Sequence, residues 1–346
     1  MTSLIAGPAA ARSAGTGRGP GAGGGGGGGL AAWYAEYGLN SRATCRRAQL
    51  ELARADRRIL SVENDLGLPE VPFDRELPGQ YLQVGIAEAN LLSVAAGLAM
   101  WGNLPFVNTF AVFATMRACE QLRLDIAYAG ANVKVMGYYT GLSGGHAGPT
   151  HSCIEDIAIT RAIPGLTVLS PADAYETYLA TKAAASHPGP VYLRASRAAT
   201  PAVYRDEYDF RIGRAVRLRD GADVTIVATG CLMVSEALRA ADLLAADGVE
   251  CGVLNVHTLK PLDTDAIVAA ARGSRLLVTC EDHNVIGGLG SAVAGVVSGQ
   301  APVPVLRYGV PDQYCGQTAE YEDMPARYGF GAGDMYEGVR AWLASH

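Results

Sequence analysis

The sequence predicts an α/β protein with two consecutive domains, each a mainly parallel sheet flanked by helices. Three observations predict it. Apolar strand-like runs alternate with helical patterns along most of the chain, the pattern becomes loose and polar once, between residues 194 and 218, and a length of 346 residues suits two domains. Because the runs are apolar on both faces and helices separate them, their strands are expected to pair in parallel. The predicted domains span residues 41–200 and 215–346, joined by a linker over 201–214.

The elements follow in order along both domains. In the first domain the predicted strands are residues 58–62, 81–84, 105–109, 132–138, 166–169 and 190–193, and the predicted helices are 88–101, 114–128, 153–162 and 172–185. In the second domain the predicted strands are 224–228, 251–256, 276–280 and 303–307, and the predicted helices are 234–246, 264–271 and 289–297. Crossovers between parallel strands are expected to be right-handed.

The composition argues against several classes of protein. A net charge of −6 argues against a nucleic-acid-binding surface, and seven scattered cysteines fit a reducing cytoplasm better than a disulfide framework or a zinc site. Residues 1–40 are Ala/Gly-rich, lack the basic and apolar regions of a signal peptide, and are predicted to be a disordered arm. Residues 89–116 carry no charge, but Gly97, Gly102 and Pro105 break them into a helix, a turn and a strand, so no membrane span is expected.

Two features of the first domain point to a ligand site. Glu88 begins an otherwise apolar helix, where it is either an acid favoured by the helix dipole or a buried carboxylate that shares a proton with a ligand. Phe110 and Phe113 lie three residues apart at a strand-to-helix junction. Such a pair is either core packing or a shelf on which a flat heterocycle stacks.

Two further segments of possible function also follow strands. Residues 141–151, the glycine loop, either allow a ligand close to the backbone or form a mobile surface turn. His151, at the end of this loop, is expected near a helix N-terminus, where a neutral imidazole is favoured. Residues 280–283, Cys-Glu-Asp-His, are either a polar turn that caps a helix or a phosphate or subunit contact. No metal-binding or Walker A motif is present.

Four stretches together resemble the carboxy-terminal half of transketolases and their relatives. The relatives include 1-deoxyxylulose-5-phosphate synthase and the beta subunits of 2-oxo acid dehydrogenases, and the resemblance covers residues 42–346. The stretches are Val84-Gly85-Ile86-Ala87-Glu88, Gly148-Pro149-Thr150-His151-Ser152, Ser170-Pro171-Ala172-Asp173 and Arg307-Tyr308-Gly309-Val310-Pro311-Asp312. The resemblance implies a thiamine diphosphate-binding pyrimidine domain followed by a transketolase C-terminal domain.

The resemblance also implies cofactor-binding residues. Glu88 matches the carboxylate that contacts N1′ of the aminopyrimidine; protonating N1′ favours the 4′-imino tautomer, which takes the proton from the thiazolium C2. Phe110 and Phe113 match the aromatics that stack on the pyrimidine, with Met116 in place of a third. Asp65 matches a position that contacts the cofactor across the subunit interface.

The substrate residues implied by the resemblance include two departures. His151 matches a histidine that faces the reacting carbons, which makes it the second predicted catalytic residue beside Glu88, and Arg197 matches a sugar-phosphate ligand. Where the sugar enzymes of the family carry His and Asp, this sequence carries Tyr139 and Ala147. Cofactor activation is therefore expected to be intact, while substrate recognition is expected to differ.

One expected part of the family's site does not occur in the sequence. The cofactor's diphosphate and Mg²⁺ are held in the family by a domain with Gly-Asp-Gly, and this sequence contains none. We therefore expect the second subunit of a split transketolase, completed by an amino-terminal subunit in a heterotetramer of two chains each. The expected reaction moves a two-carbon ketol unit from a ketose to an aldehyde. The alternatives are the beta subunit of a 2-oxo acid decarboxylating component and a non-catalytic scaffold subunit.

Overall fold

The structure is a computed structural model that describes residues 29–66 and 71–346. Most of the predicted disordered arm, residues 1–28, lies outside this range. Its last part is not disordered, because α1 (Gly29–Tyr37) is a helix. The Trp33 ring stacks on Tyr37 with centroids 4.7 Å apart and packs edge-on against Tyr175 at 5.1 Å. The Tyr34 hydroxyl donates to Asp173 Oδ2 at 2.7 Å. The prediction was wrong here because it judged the segment by its glycines and overlooked the apolar area that these aromatic side chains bury.

The first sheet has seven strands and lies between two layers of helices. In chain order they are β1 (Ile59–Glu63), β2 (Tyr81–Gln83), β3 (Leu104–Phe110), β4 (Lys134–Tyr138), β5 (Thr167–Leu169), β6 (Val191–Ala195) and, from the second domain, β10 (Thr258–Lys260). Their order across the sheet is β10-β5-β6-β4-β3-β1-β2, and all neighbours are parallel except β10 and β5. Parallel pairing confirms the expectation from the apolar runs, and all of these parallel strands except the edge strand β2 are almost entirely buried.

Helices connect the strands of this sheet. They are α2 (Ser41–Ala55), α3 (Phe73–Glu76), α4 (Glu88–Met100), α5 (Cys119–Gln121), α6 (Asp156–Ala162) and α7 (Ala174–Ser186). The predicted helix 114–128 is interrupted, because π-helical turns at Phe113–Arg117 and Leu122–Tyr128 flank the short α5. Such turns are rare and often occur at functional sites. No pattern in the sequence had indicated α2.

The second domain is a smaller sheet of five strands. They are β7 (Val216–Arg219), β8 (Val224–Thr229), β9 (Cys251–Asn255), β11 (Leu276–Asn284) and β12 (Val305–Val310), arranged as β12-β11-β8-β9-β7. Strand β7 is antiparallel to β9 and the other pairs are parallel. Its helices are α8 (Met233–Ala246), α9 (Thr264–Arg272), α10 (Leu289–Gln300), α11 (Met324–Arg327) and α12 (Ala332–Ser345). Both sheets are therefore mostly parallel and flanked by helices, as predicted.

One strand of the second domain is longer than its apolar run. The sequence predicts that the strand ends at residue 280, but β11 continues to Asn284 and includes the polar residues Glu281, Asp282 and His283. These three side chains are at most 4% exposed. The apolar pattern ends where the strand leaves its own core and enters the boundary between the two domains. Among the described residues, no helix has the length and apolar character needed to cross a membrane.

Candidate active site at the carboxyl edge of the first sheet

The carboxyl ends of four neighbouring strands bring the candidate residues to one edge of the first sheet. In register, Glu63 of β1 pairs with Asn108 of β3, Phe110 of β3 with Tyr138 of β4, and Tyr138 with Ala195 of β6. The residues that follow these strand ends, including Asn64, Tyr139 and Arg197, therefore emerge at a common edge. In open α/β sheets this edge is where ligands bind.

Glu88 is the first residue of α4 and is buried, with 2% of its surface exposed. The Asn64 amide donates to Glu88 Oε1 at 3.0 Å, and the Arg117 guanidinium donates to Oε2 at 3.0 Å. Arg117 is half exposed and lies over the Phe113 ring, with Cζ 3.9 Å from the centroid. Glu88 is therefore buried and held by two donors instead of facing solvent, and its sharing of a proton with a ligand stays a prediction.

The aromatic residues predicted as a shelf lie in contact with the predicted substrate residues. The Phe110 ring is 5.7 Å from Phe113, 4.4 Å from Tyr139 and 5.4 Å from His151, measured between centroids. Phe113 and His151 are 5.5 Å apart. None of the four is fully buried. The four rings of Phe110, Phe113, Tyr139 and His151 form the aromatic group of the site. Because they meet at the rim of the sheet and remain partly accessible, they can accept a flat apolar ligand.

Tyr139 is held in a strained backbone conformation. Its φ of 62° lies in the left-handed region, and among the described residues no other non-glycine has a positive φ. Such a conformation costs about 1–3 kcal/mol and is typical of functional sites. Arg197 is exposed and lies over the Tyr139 ring, with Cζ 5.3 Å from its centroid. Tyr139, in this strained conformation, therefore contacts both the Phe110 ring and the exposed Arg197.

His151 has surroundings different from those predicted. It ends the 3-10 turn Gly145–Thr150, and α6 begins only at Asp156, so His151 does not lie at a helix N-terminus and the dipole argument was wrong. The positive φ of 66° at Gly148 interrupts this turn. The Nδ1 atom of His151 lies 2.9 Å from Thr150 Oγ1, and the His151 ring packs against Phe110 and Phe113.

Asp65 is the predicted site residue least connected to this group. It directly follows Asn64 at the end of β1, and its side chain is exposed. It is therefore the neighbour of the residue that contacts Glu88, but its own side chain is exposed to solvent. The neighbouring Asn64 contacts Glu88: it is 4% exposed, it donates to both Glu88 and Thr109, and its Oδ1 accepts no hydrogen bond.

These residues fit an aminopyrimidine. A buried carboxyl group can share a proton with a ring nitrogen, the unpaired Asn64 Oδ1 can accept a hydrogen bond from an amino group, and the Phe110 and Phe113 rings can pack on a heterocycle. They offer nothing comparable for a diphosphate–metal group. Among the described ranges 29–66 and 71–346, no cluster of His, Cys, Asp and Glu side chains could hold a metal ion.

The Cys-Glu-Asp-His stretch does not reach this site. Glu281 accepts hydrogen bonds from the backbone N–H groups of Leu289 at 2.6 Å and Gly290 at 2.8 Å, which are the first two residues of α10. This arrangement corresponds to the helix-cap alternative. Burial raises the pKa of Glu281 to about 7 and of Asp282 to about 6, and it lowers the pKa of His283 to about 4.

Two functional candidates were missed from the sequence. Asn64 stands in a short polar run after a buried strand, which is a usable signal at the carboxyl edge of a sheet. Arg117 is the first charge after the uncharged residues 89–116. Its pairing with Glu88 depends on the π-helical turn and could not be deduced from spacing.

Comparison with known proteins assigns the chain to a family. The family described as transketolase, pyrimidine binding domain, matches residues 38–202, and the one described as transketolase, C-terminal domain, matches residues 213–335. The chain is 42% identical over 288 residues to the 6-deoxy-6-sulfo-D-fructose transketolase subunit SqwH of Clostridium sp. (strain MSTE9), which covers 83% of this chain and 89% of that protein. The chain belongs to the transketolase family.

Two further relatives indicate the kind of transketolase. One of the subunits of an apulose-4-phosphate transketolase, from Phocaeicola vulgatus, is 39% identical over 281 residues, covering 79% of this chain and 89% of its own length. A solved structure described as a split gene transketolase, inactive beta4 tetramer, superposes with a TM-score of 0.80 at 38% identity, covering 89% of this chain and 99% of that one. Both relatives are subunits or parts of a divided enzyme, which matches the expectation from the sequence.

Proposed function

We propose that this chain is the pyrimidine-binding subunit of a split transketolase and transfers a two-carbon ketol unit from a ketose to an aldehyde, together with a second subunit. The observation that carries the proposal is the buried Glu88 beside an aromatic group, at the carboxyl edge of a sheet that belongs to the transketolase pyrimidine domain. When bound, thiamine diphosphate supplies the carbon nucleophile for this reaction.

Glu88 and Asn64 are proposed to bind the pyrimidine end of that cofactor. Glu88 would hold the proton at N1′, and Asn64 would orient the carboxylate through its contact with Oε1. Phe110 and Phe113 would exclude water and hold the ring in place. Arg117 would have to keep or exchange its contact with Glu88 as the ring binds; its half-exposed side chain is free to move.

His151 and Arg197 are proposed to act on the substrate. The His151 ring faces the aromatic group from the glycine loop, where it can donate or accept a proton at a substrate hydroxyl. Beside Arg197 lies a cleft of about 520 Å³ whose lining includes Arg42, Glu320 and Glu322. Two arginines and two glutamates face this cleft, so its charge is balanced and we expect weak preference for phosphorylated sugars.

The partner is proposed to supply the diphosphate and Mg²⁺ contacts, in an assembly of two copies of each chain. The exposed face of α4 supports a docking surface next to Glu88: it carries the uncharged residues Asn90, Ser93 and Gly97. At its ends the large side chains of Ile86 and Trp101 are 75% and 89% exposed. Asp65, exposed beside Asn64, would reach the cofactor from this interface. We place the assembled enzyme in the cytoplasm, consistent with seven free cysteines.

The test is reconstitution. The purified chain is assayed for ketol transfer with thiamine diphosphate and Mg²⁺, alone and mixed with the diphosphate-binding subunit from the same genome, and mass is followed by sedimentation. We expect no transfer by the chain alone, and transfer by a complex of two copies of each. Robust transfer by the isolated chain would contradict the need for a partner. A complex that binds the cofactor without transfer from any ketose would support the scaffold alternative.

A further inference from the structure

The two ends of the glycine loop meet and are closed by the backbone. Gly141 N donates to Cys153 O at 2.7 Å, and Cys153 N donates to Gly141 O at 2.9 Å. His151 lies only two residues before this closure. Between the two ends, Gly141, Gly145 and Gly148 have positive φ, a conformation that glycine adopts without steric strain but does not fix. The direction of His151 therefore depends on what holds the base of the loop.

The second domain holds the first end. The backbone N–H of Leu142 donates to both carboxylate oxygens of Asp282, at 3.0 Å each. Tyr321 fixes the same carboxylate, since its hydroxyl donates to Oδ2 at 2.6 Å. The contact is close enough that a Cβ added at Gly141 would overlap Asp282 Oδ2. Asp282 is 4% exposed, so water does not compete for these hydrogen bonds.

The next two residues of β11 hold the other end. Ala158 N, in the first turn of α6, donates to His283 Nε2 at 3.2 Å. Asn284 N donates to Ile154 O at 2.8 Å. His283 Nδ1 donates to the Asn284 carbonyl at 2.7 Å, which leaves Nε2 as the acceptor. Residues 282–284 therefore contact the chain on both sides of the loop.

A buried ion pair connects residues 282–284 to the first sheet. The guanidinium of Arg194, on β6, donates through Nη2 to the Asp282 carbonyl at 3.0 Å and through Nε to Asp156 Oδ2 at 2.7 Å. Asp156 is the first residue of α6, the next helix after the loop. The charged groups that face the Asp282 carboxylate are thus Arg194 and Asp156, with the Tyr321 hydroxyl.

We propose that Asp282 is a positioning residue for ketol transfer: by binding the Leu142 amide across the domain boundary, it fixes the glycine loop and so orients His151 against Phe110 and Phe113. The role rests on the proposed function, because it assigns His151 to the reacting carbons. It gives the C-terminal domain a part in the chemistry, although none of its described residues lies in the aromatic group.

The experiment compares D282N with the matched control E281Q in the assembled enzyme. Both changes replace a buried carboxylate on β11 by its amide, but Glu281 caps α10 and does not contact the loop. In D282N an amide NH₂ can face the Leu142 N–H and weaken the contact. A displacement of about 1 Å at a reacting group can reduce the rate about 100-fold. We expect D282N to lower kcat about 10- to 100-fold, with little change in E281Q.

Three readouts separate positioning from general instability. D282N should accelerate amide hydrogen exchange in residues 141–153, leave the cofactor's C2 proton exchange intact because Glu88 is not on the loop, and cause no further loss when combined with H151A. Y321F removes one hydrogen bond from the same carboxylate and should act in the same direction with a smaller effect, which covers the case in which D282N fails to fold.

Provided that the unaltered enzyme transfers ketol units, either of two results would overturn the proposal. One is an unchanged rate of amide hydrogen exchange in residues 141–153 in both D282N and Y321F. The other is that D282N lowers kcat in the H151A enzyme as much as it does in the unaltered enzyme. A complex of unaltered chains that binds the cofactor but transfers no ketol unit would instead overturn the proposed function, and with it this role.

Discussion

Glu88 and Glu281 are two buried glutamates in similar settings, and the structure uses them differently. Glu88 begins helix α4, Glu281 lies on β11 and caps α10, and each is at most 2% exposed. Glu281 receives two backbone N–H groups of α10, so its hydrogen bonds close within the fold. Glu88 receives an amide and a guanidinium from side chains that can move, one of them half exposed.

The difference is why we propose Glu88 as a ligand-binding carboxylate and interpret Glu281 as a helix cap. Burial alone does not distinguish them, because both glutamates are buried. The distinction lies in whether the partners are fixed backbone groups or side chains next to an open cluster of rings. A carboxylate with fixed partners stabilises the fold, whereas one with exchangeable partners can give up a contact to a ligand.

The largest expected effect tests this comparison directly. Glu88→Gln in the assembled enzyme should reduce turnover about 10²–10⁴-fold, because the proton partner of the cofactor is lost. Glu281→Gln should reduce it little. Both variants are compared with the unaltered enzyme by their steady-state rate of ketol transfer and by the rate of C2 proton exchange of the bound cofactor. Near-normal C2 exchange in Glu88→Gln would show that this carboxylate is not the proton partner.

The second prediction sharpens the comparison through pH. The folded-state pKa of His283 is lowered to about 4 by burial, so its contribution to stability is present above about pH 6.5 and is lost as pH falls toward 4. The difference corresponds to roughly 3 kcal/mol. Urea unfolding of the wild-type chain and His283→Gln should show this loss only in the wild type.

Glu281 provides the opposite sign in the same experiment. Burial raises its pKa to about 7, so its stabilisation is present at low pH and is lost as pH rises through 7. Relative to Glu281→Gln, the wild type should therefore gain stability on acidification from pH 7 to 4.5. If the free energies of unfolding of His283→Gln and Glu281→Gln changed with pH in the same way, the assignment of opposite pKa shifts to these two buried groups would be contradicted.

The smallest expected effect concerns the cleft beside Arg197. Its two arginines and two glutamates balance each other in charge, whereas a dedicated phosphate site carries net positive charge. Ribose 5-phosphate should exceed neutral aldehydes by less than about 100-fold in kcat/KM, and Arg197→Gln should lower only the phosphosugar value, by about 10-fold. Arg272→Gln, which removes an exposed cation on α9, is the charge-matched control. A preference for the phosphosugar well above 100-fold in the unaltered enzyme would contradict the interpretation of Tyr139 and Ala147.

The sequence predicted much of the fold and part of the site. The apolar runs located ten strands, because a strand buried on both faces must be apolar throughout. It missed α2, whose buried face includes Arg46 and Gln49 as well as apolar side chains. These polar residues are satisfied by Glu63 and Asn108 on distant strands, so their burial is invisible in a local pattern.

By itself, the sequence determined the fold class, the family and the positions of Glu88, Phe110, Phe113 and His151, because these depend on local periodicity and on short motifs. Only the tertiary structure decided which polar groups are available to a ligand. The Glu-Asp-His stretch of β11 and the Asn64–Glu88–Arg117 contacts involve residues that are equally polar in the sequence. The first is closed by backbone amides of both domains, whereas the second faces an open cluster of rings. That difference depends on hydrogen-bond partners that mostly lie far apart in the chain.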